Sequence, residues 1–431
     1  MNDLAIYKNI AERTQGDIYI GVVGPVRTGK STFIKRFMEA LVLPNIQNQY
    51  GRDRARDEMP QSAAGKTIMT CEPKFVPDEA VEINLPDNTA FKVKMIDCVG
   101  YIVPGAIGNY EDGNPRYIMT PWSDDELPFD TAAEIGTQKV INEHSTIGVV
   151  VTTDGSFGEI ERDNFISAEE RVINELKQIN KPFVIVLNSS YPNSEEAISL
   201  AYEMETKYKV PVALVNCLDL SNDDIRSIIE LVLYEFPIKA IAVELPDWIN
   251  SLQTDHWLYT SIMNSVKSCA AAVTRTGQLK SEFKAITTNE SVKSCRINRI
   301  NLGEGNASIS ISLRDGLYYE IISEMTGLDI QSEESILPLL AELSQTKVKY
   351  DRIALALEDV IDRGYGIVTP GIDDLTLEEP EIVKQSGGYG VKLKASAPSI
   401  QNECIKYMCR FSANKGRFYV QFGTNCSIIR V

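Results

Sequence analysis

Apolar residues along this chain follow two alternating rhythms. The run DIYIGVVG (17–24) is almost continuously apolar and ends at glycine, the pattern of a strand covered on both faces. KSTFIKRFMEALVL (30–43) repeats apolar residues at helical spacing and predicts a helix that Pro44 stops. Residues 1–14 predict another helix. A polar stretch from 45 to 67 shows no core periodicity. Strands are then predicted at 81–85, 91–97, 147–152, 183–188 and 211–216, with helices at 167–179, 194–207 and 222–235. Strands alternating with helices imply a mostly parallel sheet with helices on both faces. This block closes near Phe236-Pro237. Beyond it, helical patterns at 253–275 and 335–361 flank short strand-like runs such as NASISISL (306–313), which reads as α+β without internal repeats.

Composition narrows the possibilities. With 431 residues the chain has material for two or three domains, and 43% hydrophobic with 24% charged residues is an ordinary globular balance. The net charge of −17 speaks against a broad basic face for nucleic acid. The acidity is uneven: residues 401–431 carry Lys406, Arg410, Lys415, Arg417 and Arg430 against one acid, Glu403. Eight cysteines are scattered without a C-x-x-C pair, which suits a reducing compartment. The N-terminus lacks the apolar core of a signal peptide, and no run approaches eighteen apolar residues. No basic amphipathic helix is evident, so membrane contact would be indirect.

The chemistry concentrates after the first strand. GPVRTGKS (24–31) is a G-x-x-x-x-G-K-S loop between a strand and a helix, the context a nucleotide-phosphate loop requires. Gly24 and Gly29 allow the tight wrap, and Pro25, Val26, Arg27 and Thr28 complete it, so that backbone N–H groups face phosphate oxygens. Lys30 supplies a point charge to the β- and γ-phosphates, the Ser31 hydroxyl is a Mg²⁺ ligand, and Thr32 continues into the helix. FKVKMID ends at Asp97, followed by Cys98-Val99-Gly100. An acid there holds Mg²⁺, usually through water, and the Gly100 N–H can meet the γ-phosphate. Thr67 and Thr70, in GKTIMTCEP, are both candidates to close over that phosphate. FVIVLNSSYP places Asn188 at the strand end where GTPases carry N-K-x-D, but Ser189 and Tyr191 replace the lysine and aspartate. Without that carboxylate the guanine donors lack their charged partner, which argues for ATP.

Other groups have blander readings beside functional ones. Arg27, or one of Arg52, Arg54 and Arg56, is a candidate arginine finger, whereas a run such as RDRARDE is ordinarily a solvated charge cluster. His144 and His256 lack ligand-spaced partners and read as structural, so no zinc site is expected. The segment 100–135, with Trp122, reads as a lid or a packed insertion.

These residues, with DEMPQSAAGKTIMTCEPKFVP, IDCVGY, EHSTIGVVVTTDG and APSI, closely resemble the stage IV sporulation protein A family, from residue 1 to about 400. The resemblance implies an α/β P-loop NTPase domain of the translation-factor-related class, residues 1–238, and an α+β middle domain, 239–400. It further implies an ATPase with ATP and Mg²⁺ as cofactors, self-assembling into the basement layer of the spore coat. Its partners would be itself, a membrane-bound amphipathic sporulation peptide and other coat proteins, with no nucleic acid. Its place would be the mother-cell cytoplasm at the outer forespore membrane. By position, Lys30, Thr70 and Asp97 are the catalytic residues, with Ser31 and Asp97 serving the metal. Cys71 stands where the family often has a second threonine. Residues 401–431 depart from the family's Glu/Leu-rich helical continuation and read as a divergent or frameshifted tail. A nucleotide-binding scaffold without turnover and a GTPase-type switch are the competing classes.

Overall fold

A computed structural model describes residues 3–60, 72–84, 89–106, 110–111, 114–368, 376–385, 388–392, 395–396 and 400–403. Thr67, Thr70, Cys71 and the tail from 404 onward lie outside these residues. The chain divides into two compact units, 1–315 and 316–431.

The first unit opens with helix α1 (Asp3–Arg13), whose Ile6, Tyr7, Ile10 and Ala11 form one buried face. Strand β1 (Asp17–Val23) leads into helix α2 (Lys30–Phe37). Its coil loosens to a wider turn at Met38–Val42 and ends at Leu43–Asn45, within a residue of the predicted stop at Pro44. The polar stretch holds a helix that periodicity did not announce, α3 (Gln49–Asp57), which buries only Ala55. Strands β2 (Lys74–Asn84) and β3 (Ala90–Asp97) follow, then α4 (Phe129–Lys139), β4 (Ile147–Thr153) and α5 (Asp163–Gln178). The block closes with β5 (Phe183–Asn188), α6 (Glu195–Tyr208), β6 (Val212–Val215) and α7 (Asn222–Glu235). α7 starts at a reciprocal cap between Ser221 and Asp224, which satisfies two otherwise open N–H groups.

The main sheet runs β6-β5-β4-β1-β3-β2, parallel except for β2 against β3. Every residue of β4 and β5 is buried, as the continuous apolar runs require. The period of two divides them between two cores: Val149, Val151, Val184 and Val186 face one, Val150, Ile185 and Leu187 the other. Register aligns the strand ends that matter, with Val22 beside Asp97, Thr153 beside Asn188, and Asn188 beside Val215. β1 is the point where the strand order reverses, and the crevice at the C-terminal ends of the strands there is the usual ligand position in such sheets.

The same unit continues past residue 238. Strand β7 (Ala240–Glu244), helix α8 (Trp257–Ala272) and strands β8 (Val292–Asn301) and β9 (Asn306–Leu313) add a smaller sheet, β7-β9-β8. Arg13 fastens α1 to it. Its Nε donates to Leu302 O at 2.5 Å, its terminal nitrogens reach Pro237 O at 3.1 Å and Thr276 Oγ1 at 3.3 Å, and its guanidinium lies over the Phe236 ring. His256 accepts from Leu258 N at the start of α8, and His144 meets Phe75 edge-on, both structural roles.

In the second unit, α9 (Leu317–Thr326) and the long α10 (Glu333–Arg363) precede β10 (Tyr365–Val368), which pairs antiparallel with β11 (Ile400–Glu403). Among the described residues, no helix is long and apolar enough to cross a membrane.

Candidate nucleotide site

The loop between β1 and α2 is built by backbone conformations that few sequences tolerate. Gly24 sits at φ 136° and Gly29 at φ 96°, and Arg27 adopts φ 63° with its side chain exposed. A Cβ on Gly24 would lie 2.3 Å from Val151 O, so the loop passes β4 only with glycine there. Thr28 is fully buried, and its hydroxyl lies 2.7 Å from Val151 O of β4 and 3.0 Å from Pro25 O within the loop. α2 starts at Gly29 without a side-chain cap, which leaves its first N–H groups for an anion.

Lys30 is 6% exposed and donates through Nζ to Pro25 O at 2.5 Å. Burial holds its pKa below the ordinary lysine range, while Cys98 and Asp97 favour the charged form. Ser31 Oγ donates to Asp97 Oδ2 at 2.7 Å. The other oxygen, Asp97 Oδ1, is buried without a hydrogen-bond partner. Burial raises the Asp97 carboxyl above the usual range, opposed by the Ser31 bond and the charges of Lys30 and Lys74. A hydroxyl joined to a carboxylate with one orphaned buried oxygen is a donor set that suits a hard divalent cation completed by water and phosphate. Among the described residues no cluster of three or more His, Cys, Asp or Glu offers an all-protein metal cage.

The Gly100 segment lies directly on this loop. Val26 N donates to Tyr101 O at 3.0 Å, and a Cβ on Gly100, at φ 89°, would lie 1.9 Å from Gly24 O and 2.8 Å from Lys30 Nζ. Gly100→Ala is therefore expected to destabilise the fold by about 1–3 kcal/mol, the usual cost of overpacking. Urea unfolding measures it, and an unchanged midpoint would contradict this packing.

Asn188 joins the loop to the far side of the sheet. Its Nδ2 donates to Thr28 O at 3.0 Å and its Oδ1 accepts from Cys217 N at 3.0 Å, so it positions the loop. Ser189 is buried, with Oγ accepting from Tyr191 N at 2.9 Å, and Tyr191 is exposed. Neither supplies a carboxylate at the base position. Arg52 is tied to Ile46 O at 2.6 Å, and Arg54 to Glu58 and Glu79, each at 2.9 Å, in the corner between α3 and β2.

The structure thus brings together Gly24 to Thr32, Asp97, Gly100 and Asn188, while Thr70 lies outside the described residues. It adds two networks that sequence reasoning missed. Tyr101 donates from its hydroxyl to Glu175 at 2.5 Å, beneath the guanidinium of Arg171, which grips Glu134 at 2.6 and 2.9 Å. Burial first, and then Glu175, pushes the Tyr101 hydroxyl pKa up. The second network centres on Glu169, wholly buried beneath the end of β4. It accepts from Thr152 at 2.6 Å, Tyr208 at 2.8 Å and Arg162 at 2.7 and 3.0 Å. The only hint in the sequence was a glutamate on the otherwise apolar face of α5.

Comparison with known proteins places a boundary at 237/238, inside the first compact unit. Residues 1–237 match the family model for the stage IV sporulation protein A ATPase domain, and residues 238–406 match that for its middle domain. The stage IV sporulation protein A of Clostridioides difficile (strain 630) is 48% identical over 92% of this chain and 80% of its own length. That of Bacillus subtilis (strain 168) is 47% identical over 93% of this chain and 81% of its own. That of Bacillus anthracis is 45% identical over the same shares. With both domain models matched in order and such identity along most of its length, the chain belongs to the stage IV sporulation protein A family.

Proposed function

We propose that this protein is a Mg²⁺-dependent P-loop ATPase of the translation-factor-related class, and that hydrolysis drives its self-assembly into the basement layer of the spore coat. The observation that carries the reading is the cluster of Lys30, Ser31 and Asp97 around the 24–31 loop, which holds a buried cation and an orphaned buried carboxylate oxygen. Backbone N–H groups of the loop and of the first turn of α2 bind the phosphates. Lys30 carries the positive charge to the β- and γ-phosphates. Ser31 and, through water, Asp97 would hold Mg²⁺, whose chemistry is to neutralise charge developing on the phosphate oxygens. The Gly100 N–H would contact the γ-phosphate, and Thr70 would close over the same group. Water is the nucleophile. Positioning and electrostatics carry the reaction, with no side chain assigned as general base.

Assembly would take place in the mother cell, at the outer forespore membrane. A membrane-bound amphipathic peptide and other coat proteins would serve as partners there. Hydrolysis would reset the loops around Thr70 and Gly100 and expose a polymerising surface.

Nucleotide choice follows from the base position. A guanine bound at Ser189 and Tyr191 forgoes a charge-assisted pair of about 1.5–3 kcal/mol. GTP is therefore expected to displace labelled ATP about tenfold or more less effectively than ATP does. A clear preference for GTP in that competition, or phosphate release no faster than background, would defeat this reading.

A further inference from the structure

Arg27 is the loop residue whose side chain the site described above leaves without a task. Among the described residues, Gln15, Arg27, Asn180 and Lys209 adopt positive φ without being glycine. Gln15, Asn180 and Lys209 each follow the end of a helix, where the left-handed conformation is an ordinary stop. Arg27 instead stands inside the loop, three residues before α2 begins. A left-handed arginine is strained, and glycine there would relieve the strain. Such strain persists only where the surroundings fix the backbone, and it points to a task for the side chain. Here both neighbours are fixed. Val26 is buried and its N–H donates to Tyr101 O. Thr28 is buried, with its hydroxyl on Val151 O and its carbonyl accepting from Asn188 Nδ2.

Of residues 24–30, Arg27 alone is exposed. Its guanidinium has no hydrogen-bond or ion-pair partner among the described residues. Rival arginines are engaged: Arg52 and Arg54 in the corner between α3 and β2, Arg162 with Glu169, and Arg171 with Glu134. Arg56 is exposed, on a helix packed against the edge strand β2.

Residue 27 lies between two parts of the site. Residues 28–31 would cradle the β-phosphate. Gly100 and Tyr101, which meet the loop at Gly24 and Val26, lie on the side assigned to the γ-phosphate. We propose that Arg27 is a catalytic arginine acting within its own chain, its guanidinium meeting the oxygen that bridges the β- and γ-phosphates. In hydrolysis water bonds to the γ-phosphorus as the bond from that phosphorus to the bridging oxygen breaks. ADP leaves with the electron pair on that oxygen. Phosphate leaves with the oxygen of the water, whose surplus proton passes to solvent. Negative charge on the bridging oxygen grows towards the transition state, so a guanidinium there favours that state over bound ATP. The proposal rests on the ATPase reading above.

Steady-state phosphate release by the full chain tests it, with Lys30→Ala as the background. Arg27→Gly is expected to lower kcat about a hundredfold. Its KM for ATP should stay within about threefold, because backbone N–H groups and Lys30 carry ground-state binding. Its urea midpoint should be unchanged or higher, since glycine accepts the left-handed backbone. Arg27→Lys keeps the charge without the planar fork and should recover about tenfold of the loss. Arg56→Ala should stay within about twofold of the wild type. Arg27→Gly mixed with Lys30→Ala should recover nothing, because each site lacks a group of its own chain. If the wild type releases phosphate no faster than Lys30→Ala, the ATPase reading fails and this proposal with it. If the wild type turns over ATP and Arg27→Gly matches it, loses only KM or unfolds at lower urea, Arg27 alone is overturned. Loss of turnover in Arg56→Ala, or recovery in the mixture, overturns it equally.

Discussion

Lys30→Ala is expected to slow ATP turnover by about a hundredfold or more while leaving the folded state intact. Among the described residues Lys30 is the one buried lysine or arginine, and its ammonium rests on a carbonyl, Pro25 O. A buried cation without an ion-pair partner carries a desolvation penalty, visible in its lowered pKa. Truncation removes that penalty together with the charge, so stability should hold or rise slightly. The transition state of phosphoryl transfer loses its fixed positive charge, and deletion of one such preorganised group lowers turnover by about 10²–10³-fold. Steady-state phosphate release and a thermal melt, run on the same preparations, separate the two effects. Release at the wild-type rate would show that the site lies elsewhere. A collapse of the melt would show that Lys30 serves the fold.

The second large effect concerns stability. Glu169→Ala is expected to cost about 3–5 kcal/mol, because it strands Arg162, Thr152 and Tyr208 around an empty site. Glu169 is fully buried and Arg162 nearly so, so solvent screens the pair little. Breaking one side of such a pair is worse than replacing both. Arg162→Met with Glu169→Leu should therefore lose less than Glu169→Ala alone. Denaturant unfolding of the single and double variants measures this directly, and additive losses would refute coupling. Thr152 follows Val151, whose carbonyl receives the Thr28 hydroxyl. Loss of the network should for that reason also loosen the 24–31 loop.

Much of this was legible along the chain. Strands buried on both faces must be largely apolar, and β4 up to Val151 and β5 up to Leu187 are. Helices that bury one face must repeat at 3.6 residues, and α5 and α7 do. The loop at 24–31 announced itself because so tight a backbone wrap needs glycine at particular positions. α3 escaped notice because it buries a single alanine and so imposes no period. β7 and β8 escaped because they bury little: β7 alternates exposed and half-buried residues, and β8 buries only Val292. The Tyr101 and Glu169 networks join residues as much as 74 and 39 positions apart, and no local pattern encodes such meetings.

The sequence by itself determined the alternation of strand and helix, the G-x-x-x-x-G-K-S loop with Lys30 and Ser31, and the lack of a carboxylate at positions 189 and 191. These are local properties, set by spacing and by side-chain chemistry. Only the tertiary structure decided that Ser31 and Asp97 share a hydrogen bond, that Gly100 lies against Gly24, and that Asn188 braces the loop. Strand order and register did that, by bringing the ends of β1, β3, β4 and β5 to one edge of the sheet.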